Sequence, residues 1–596
     1  MLYPIVNNYR NIFDLSGIWQ FKTDPEKIGE KKKWFNGFKT DYTIAVPGSW
    51  NEQLEELGLL HYTGNAWYSK KIFVPSDCKN KRIVLRIGSI DYNSKFWING
   101  KFIAENKIGF LPIELDITNF AEPGKESLLV ILVNNELTDE TIPQGITSKH
   151  FRDEKRLREE TNPPTRFDFS PYGGIHRSVQ LISTPSFYIS KLRVNTKIVN
   201  SKKGIAECEI FVNKKSQGSV NIELLNGKKL LSKKADLKEG KAKLKLEIDG
   251  CKFWSNNDPY LYDLKIQLYN KKELVDEYLQ PIGIREVLIK GNKLLLNGKE
   301  IYLKGFGKHE DFAIISKGLF LPLMVKDFEL MKWINANSFR TSHYPYSEEM
   351  MHYADRKGFL VIDEVPAVSL DFRRVNENTL KTHKEHIQRL IERDYNHPSV
   401  IMWAVGNEPN LVGESGYYNG SAKKYWREVF KFTKGLDSIR PVTVPNCTRA
   451  GVNDPVFEFS DVISLNRYYG WYEYPGYVEE AVKILGNEMD LIHKKYNKPM
   501  IFTEFGVDTM PGFHSTSTQM FTEEYQQLFL EAYIKLIRSK EYTIGEHVWN
   551  FADFRTPQHF RRVVLNLKGI FTRSREPKSA AFLLKKIWQN PSKNKR

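Results

Sequence analysis

Two glutamates, Glu408 and Glu504, each close an apolar, strand-like run, and near the C-terminus Asn566 and Lys568 flank Leu567 in Arg561-Arg-Val-Val-Leu-Asn-Leu-Lys-Gly569. A pair of facing carboxylates suits cleavage of a glycosidic bond, because one must protonate the leaving oxygen while the other attacks or activates water. If residues 563 to 568 are extended, Asn566 and Lys568 share a face, since strand side chains alternate. An ammonium and an amide then converge, a pair fitted to a sugar carboxylate. Each motif also has a plain structural reading: a solvated Asn-x-Lys turn, and glutamates paired with Arg340 or Arg467.

The elements that position these residues fall into three segments. Residues 1–182 alternate apolar and polar with frequent Pro, Gly and Asn, the pattern of an antiparallel β-sandwich, with a hairpin turn at Asn99-Gly100. Residues 183–284 carry short strands (187–198, 206–212 and 261–268) at spacings that suit an immunoglobulin-like sandwich. After a second hairpin at Asn297-Gly298, residues 285–596 alternate strand and helix. Strands are expected at 301–306, 338–344, 359–365, 400–405, 442–445, 462–466, 500–505 and 543–549, and helices at 324–334, 383–394, 422–436, 477–496 and 522–539. Eight such strands imply a (β/α)8 barrel with its functional groups at the C-terminal strand ends.

Those ends are rich in ionisable side chains. They carry Lys308 to Asp311, Arg340 and His343, Asp363 and Glu364, Asn407-Glu408, Asn466-Arg467-Tyr468, Glu504, and Glu546 to Asp553. Partly buried charges are costly without partners, so a ring of them argues for a function.

At 596 residues the chain is long enough for several domains, and its formal charge is +16. Much of the positive excess lies in scattered pairs, Lys202-Lys203, Lys214-Lys215, Lys228-Lys229, Lys233-Lys234 and Lys271-Lys272, which read as a solvated face rather than a nucleic-acid surface. The positive field would help an anionic substrate approach. No apolar run is long enough for a bilayer and no signal-peptide core is present, so a cytoplasmic protein without a membrane partner is expected. The four cysteines are far apart, without Cys-x-x-Cys spacing, which argues against disulfides or zinc. No pair at the strand ends has metal-ligand spacing, and no metal or other cofactor is expected.

Asn337-Ser-Phe-Arg-Thr-Ser-His-Tyr-Pro345 and Asn396-His-Pro-Ser-Val-Ile-Met-Trp-Ala-Val-Gly-Asn-Glu408 resemble the two signatures of glycoside hydrolase family 2, and the resemblance covers essentially the whole chain. Within that family the details resemble the β-glucuronidases. These details are Gly305-Phe-Gly-Lys-His-Glu-Asp311, Asn466-Arg-Tyr-Tyr-Gly-Trp-Tyr472, Thr503-Glu-Phe-Gly506, Val548-Trp-Asn-Phe-Ala-Asp-Phe554, Asn566-Leu-Lys-Gly-Ile-Phe-Thr-Arg573 and Phe167-Asp-Phe-Ser-Pro-Tyr-Gly-Gly-Ile-His-Arg177.

The resemblance implies a jelly-roll-like sugar-binding sandwich, an immunoglobulin-like sandwich and a catalytic barrel. It also implies retaining hydrolysis with Glu408 as acid/base and Glu504 as nucleophile, their carboxyl groups about 5 to 5.5 Å apart. Tyr468 and Arg340 are then expected to face Glu504, and Asn407 to reach the sugar 2-hydroxyl. Asp168, His343 and Trp549 would line the sugar pocket, while Tyr472, Arg562, Asn566 and Lys568 would surround the sugar carboxylate. His309 and Asn466 would support them. The implied partners are β-glucuronides, and the implied assembly is a homo-oligomer, a dimer or tetramer.

One stretch departs from the pattern of some bacterial relatives. Only Val365 to Thr382 separates strand three from the next helix, with no long insertion, which predicts an open mouth that admits bulky or oligosaccharide aglycones. Arg373-Arg374 in that loop either meets an acidic or extended leaving group or is solvated. The competing expectations are a family 2 enzyme for a neutral sugar, such as a β-galactosidase, or for galacturonate, and a catalytically silent carbohydrate-binding protein.

Overall fold

The computed structural model describes residues 2–146, 161–410, 417 and 420–589. The N-terminal segment packs a six-stranded sheet against a four-stranded one. Its strands alternate as the sequence suggests, and Trp19, Phe21, Tyr68, Leu85, Phe96 and Ile131 fill the space between the sheets. The Asn99-Gly100 hairpin joins Asn93–Ile98 to Lys101–Asn106, with both turn residues at positive φ (49° and 76°).

A second sandwich follows, a three-stranded sheet facing a four-stranded one. The alternation is clearest in Lys203–Val212, where Gly204, Ala206, Cys208, Ile210 and Val212 are buried. The edge strand Lys228–Asp236 exposes Lys228, Lys229, Lys233 and Lys234. Charged side chains on a sheet edge oppose pairing with another chain, which gives that lysine excess a structural use.

The barrel's parallel strands are Leu303–Gly307, Ser338–Arg340, Leu360–Glu364, Val400–Ala404, Val442–Thr443 with Pro445–Asn446, Ile463–Asn466, Met500–Glu504 and Thr543–Val548. The fifth is broken at Val444, and its two halves bond to opposite neighbours, strand four and strand six, which closes the ring. Helices at Leu321–Trp333, Glu377–Asp394, Ser421–Leu436, Val478–Tyr496 and Glu523–Ser539 match the expected set. Among the described residues two longer helices, Glu348–Lys357 and Ser579–Gln589, and the single turn Val456–Phe459 were not in it. The first of these carries its own signals: Ser347 accepts a hydrogen bond from Met350 N–H, Glu348 and Glu349 fill the first turn, and Gly358 ends it at φ 76°. No described helix is long and apolar enough to cross a membrane.

Two expected strands are shorter than their sequences suggested. Strand two pairs only through Arg340, and residues 341–344 turn into the barrel mouth. Residues 563–568 are not one extended run: only Leu565–Asn566 pair with a neighbouring strand, and Val564 has φ 67°.

Candidate active site

Four strands end in polar residues that point at one another. Arg340, closing strand two, is fully buried, and its Nη1 donates to Glu364 Oε2 at 2.5 Å while its Nη2 donates to Glu504. Glu504, closing strand seven, also accepts a hydrogen bond from Tyr468 OH at 2.7 Å. The second oxygen of Glu364 meets His343 Nδ1 at 2.8 Å, and His343 Nε2 lies 3.6 Å from Glu504. Glu504 is therefore held by two hydrogen-bond donors, a guanidinium and a phenol, with the His343 imidazole beside it.

Glu408 has a different environment. It sits four residues past strand four at φ 47°, with its backbone N–H held by Pro445 O at 2.8 Å. Among the described residues its carboxyl group accepts one hydrogen bond, from Asn466 Nδ2 at 2.9 Å. Burial, and then the charge of Glu504, push it up to about 8. Two carboxylates with opposed environments can divide the acid and nucleophile roles. The alternative pairing of the glutamates with arginines applies to Glu504 alone, since Glu408 meets Asn466 and Arg467 turns outward to Glu488 at 2.8 Å.

Asn407 Oδ1 accepts from Arg340 Nη1 (3.3 Å) and Asn466 Nδ2 (3.2 Å), and Asn466 Oδ1 accepts from Thr503 Oγ1 (2.7 Å). Trp549 follows strand eight and stacks on His343 at 5.0 Å. Glycine makes room for it: a Cβ at Gly307 would lie 2.6 Å from the indole, and one at Gly506 would lie 1.9 Å from the Trp549 carbonyl oxygen. His309 packs on Phe554 at 4.1 Å and bonds Tyr344 OH through Nδ1 at 3.1 Å, and its buried Nε2 has no hydrogen-bond partner among the described residues. Burial holds His309 well below the ordinary histidine range.

A second cluster lies beside the first. Lys568 is buried, and its ammonium bonds Tyr472 OH at 3.0 Å and Asp508. Arg562 grips Asp168 through Nε and Nη2 (2.9 and 2.6 Å), reaches Asp508 at 3.2 Å and bonds Tyr472 OH at 2.7 Å. Asn566 Nδ2 donates to Asp168 at 2.7 Å. Asn566 and Lys568 thus converge without the expected strand, because a turn brings them together: Lys568 N–H donates to Asn566 Oδ1 at 3.1 Å. The Tyr472 ring packs on Tyr468 at 5.3 Å, so an aromatic contact joins the cationic cluster to Glu504.

Asp168 comes from the N-terminal sandwich. Phe167 and Phe169 stack at 4.2 Å on either side of it in sequence, and Phe169 packs on His309 at 5.2 Å. Asn162 and Gln558 exchange backbone hydrogen bonds of 3.1 and 2.8 Å, which fastens that segment to the loop carrying Arg562.

The ring of ionisable strand-end residues is really two sets. Arg340, Glu364, Glu408, Asn466 and Glu504 meet in the mouth. Asp363 turns away to Thr341 Oγ1 (3.1 Å), Glu546 pairs with Arg538 (2.6 Å), and Lys308 pairs with Asp327 (3.3 Å). Side-chain alternation explains the neighbouring pairs Asp363/Glu364 and Asn466/Arg467, one inside and one outside.

Asp508 and Glu364 were absent from the expected site. Glu364 was visible as a strand end, but Asp508, four residues past Glu504, lies beyond the strand. Arg562 and Lys568 together, despite burial, hold Asp508 below the usual carboxylate range. The loop after strand three is also shorter than expected, because the next helix begins at Glu377 under an Asn376–Thr379 capping box. Asp371 ties that loop down through Arg166 (2.6 Å), Arg373 (2.8 Å) and Arg374 (3.7 Å), so both loop arginines are internally paired.

Family profiles match all three segments. They are the glycosyl hydrolases family 2 sugar binding domain over residues 12–185, the glycosyl hydrolases family 2 domain over 187–285 and the glycosyl hydrolases family 2 TIM barrel domain over 287–592. A β-glucuronidase of Paenibacillus borealis is 39% identical, spanning 99% of this chain and 98% of its own length. The human β-glucuronidase is 38% identical, spanning 99% and 92%. The solved structure of a Ruminococcus gnavus β-glucuronidase in complex with D-glucuronic acid superposes with a TM-score of 0.90 at 38% identity, covering 98% of this chain and 99% of that one. Opposed carboxylates at the mouth of an eight-stranded barrel, two preceding sandwiches and full-length similarity agree: the chain belongs to glycoside hydrolase family 2.

Proposed function

We propose that this chain is a retaining, exo-acting β-glucuronidase that hydrolyses terminal β-D-glucuronides. The observation that carries the reading is the buried Lys568–Arg562–Asn566 cluster joined through Tyr472 and Tyr468 to Glu504. A carboxylate-binding end and a nucleophile so linked suit a sugar with an acid at C6.

In the proposed reaction Glu504 attacks the anomeric carbon and forms an ester. The bond to the aglycone oxygen breaks as Glu408 gives that oxygen its proton. Glu408, now a carboxylate, takes a proton from water. The water oxygen attacks the anomeric carbon, the ester breaks, and glucuronate leaves with Glu504 restored. Arg340 and Tyr468 hydrogen-bond to Glu504 and orient it for attack, Glu364 holds Arg340, and His343 holds Glu364. Because both neighbours donate to Asn407 Oδ1, its Nδ2 remains as the donor for the sugar 2-hydroxyl. Trp549 and Asp168 line the sugar, and His309 offers a hydroxyl its buried Nε2, which has no partner among the described residues. No cofactor takes part in these steps.

The bound-down loop after strand three supports an open mouth and acceptance of bulky or oligosaccharide aglycones. The four buried free cysteines suit a reducing, cytoplasmic setting. The reading extends to a homo-oligomer, a dimer or tetramer, which light scattering on the purified chain checks. A panel of nitrophenyl β-glycosides with Glu504→Gln as blank tests the function. Dominant turnover of the glucuronide supports it, whereas dominant turnover of the galactoside or galacturonide, or none at all, replaces it with the corresponding alternative. Proton NMR of the first-formed sugar tests retention: the β-anomer is expected, and the α-anomer contradicts it.

A further inference from the structure

Arg285 is a buried cation with no carboxylate at ion-pair distance among the described residues. It leads from the immunoglobulin-like sandwich into the barrel, with 6% of its surface exposed. Its Nε donates to Pro398 O at 2.7 Å and its Nη2 to Val400 O at 2.6 Å. Among the described residues no Asp or Glu oxygen lies within ion-pair distance of it. The cations beside it differ: Arg440 is paired with Asp437 at 2.7 Å, and His397 with Asp355 at 2.6 Å. Burial, and then the neighbouring Arg440, press Arg285 down to about 9 against the weaker opposing pull of Asp437 and Asp355, which are engaged by Arg440 and His397.

A cavity of about 30 Å³ opens against these three groups, lined on the sandwich side by Asn195 and Thr196. That space exceeds what one water needs, and its polar lining offers partners. Water fills volume but supplies no charge, and a buried charge is stable only when compensated. Val400 begins the fourth strand, so the cavity lies at the base of the barrel, opposite the carboxylates.

We propose that this cavity binds a small monovalent anion, chloride or bromide, which neutralises Arg285 and fastens the immunoglobulin-like sandwich to the base of the barrel.

Thermal unfolding of the full chain in sodium chloride or bromide, against sodium gluconate at equal ionic strength, gives the first readout. A ligand bound only by the folded state raises Tm by mass action, here by about 2–4 °C, with saturation well below molar halide. Arg285→Gln should lose this halide-specific increment. Should that variant fail to fold, crystals of the unaltered protein soaked in bromide decide, through an anomalous peak in the cavity beside Arg285. An empty cavity in those crystals, an equal halide increment in Arg285→Gln, or a half-effect reached only near molar halide would overturn the proposal.

Discussion

Glu504 and the groups that hold it project from the ends or immediate exits of barrel strands, whereas Arg562, Asn566 and Asp168 come from a surface loop, a short hairpin and a different domain. The first region is anchored by the parallel hydrogen-bonded ladder, so its side chains are placed by counting residues along a strand. The second is held by charge balance. Two cations, Arg562 and Lys568, are matched by two carboxylates, Asp168 and Asp508. Removing a group from the first region should therefore damage chemistry, and removing one from the second should damage selection of the sugar and stability.

The largest effect belongs to the nucleophile. Glu504→Gln should lower kcat on nitrophenyl glucuronide by about 10⁴-fold or more with little change in Tm, and added azide acting on the smaller Glu504→Gly should yield the α-glucuronosyl azide, the product of direct attack in place of the lost nucleophile. Glu408→Gln should lose about 10² to 10⁴-fold on glucuronides with poor leaving groups and much less on nitrophenyl glucuronide, which needs little proton assistance. Its pH profile sharpens the contrast. Glu408 must carry a proton to act as acid, so kcat/KM of the unaltered enzyme should fall as pH rises through about 8, and that alkaline limb should vanish in Glu408→Gln.

Asp508→Asn probes the balanced cluster. It leaves Lys568 and Arg562 short of a buried partner, so stability should drop by about 3–5 kcal/mol, read by denaturant unfolding. KM for the glucuronide should rise more than kcat falls, as expected when binding rather than chemistry is lost. The smallest effect is expected for Glu364→Gln. It touches Arg340 rather than substrate, and a roughly tenfold fall in kcat/KM at unchanged substrate selectivity would mark it as a positioning residue. A change in selectivity there would blur the distinction between the two regions.

The barrel, both sandwiches and the strand-end carboxylates were legible because period-two alternation, Asn-Gly turns and strand–helix repetition report local geometry. The helix over Glu348–Lys357 was missed although Ser347 and Gly358 mark its ends. Asp508 was not legible because its partners, Lys568 and Arg562, lie more than fifty residues away, and no local pattern encodes that ion pairing. The turn at Val564 was hidden for a related reason: a β-branched residue at positive φ contradicts its own preference, and the surrounding contacts of Asp168 and Asn566 hold it there. Arg467 and Glu546 looked like mouth residues, but they face the helices, where Glu488 and Arg538 meet them.

The central claim is that the Lys568 cluster reads the acid at C6 while the strand-end glutamates act on the anomeric carbon of any sugar placed between them. The direct test is kcat/KM of Lys568→Gln on nitrophenyl β-glucuronide and on nitrophenyl β-glucoside, measured against the unaltered chain. Loss of a charge-assisted contact should cut the glucuronide value by about 10² to 10³-fold and leave the glucoside value within a few-fold. Equal losses on both sugars would contradict the account.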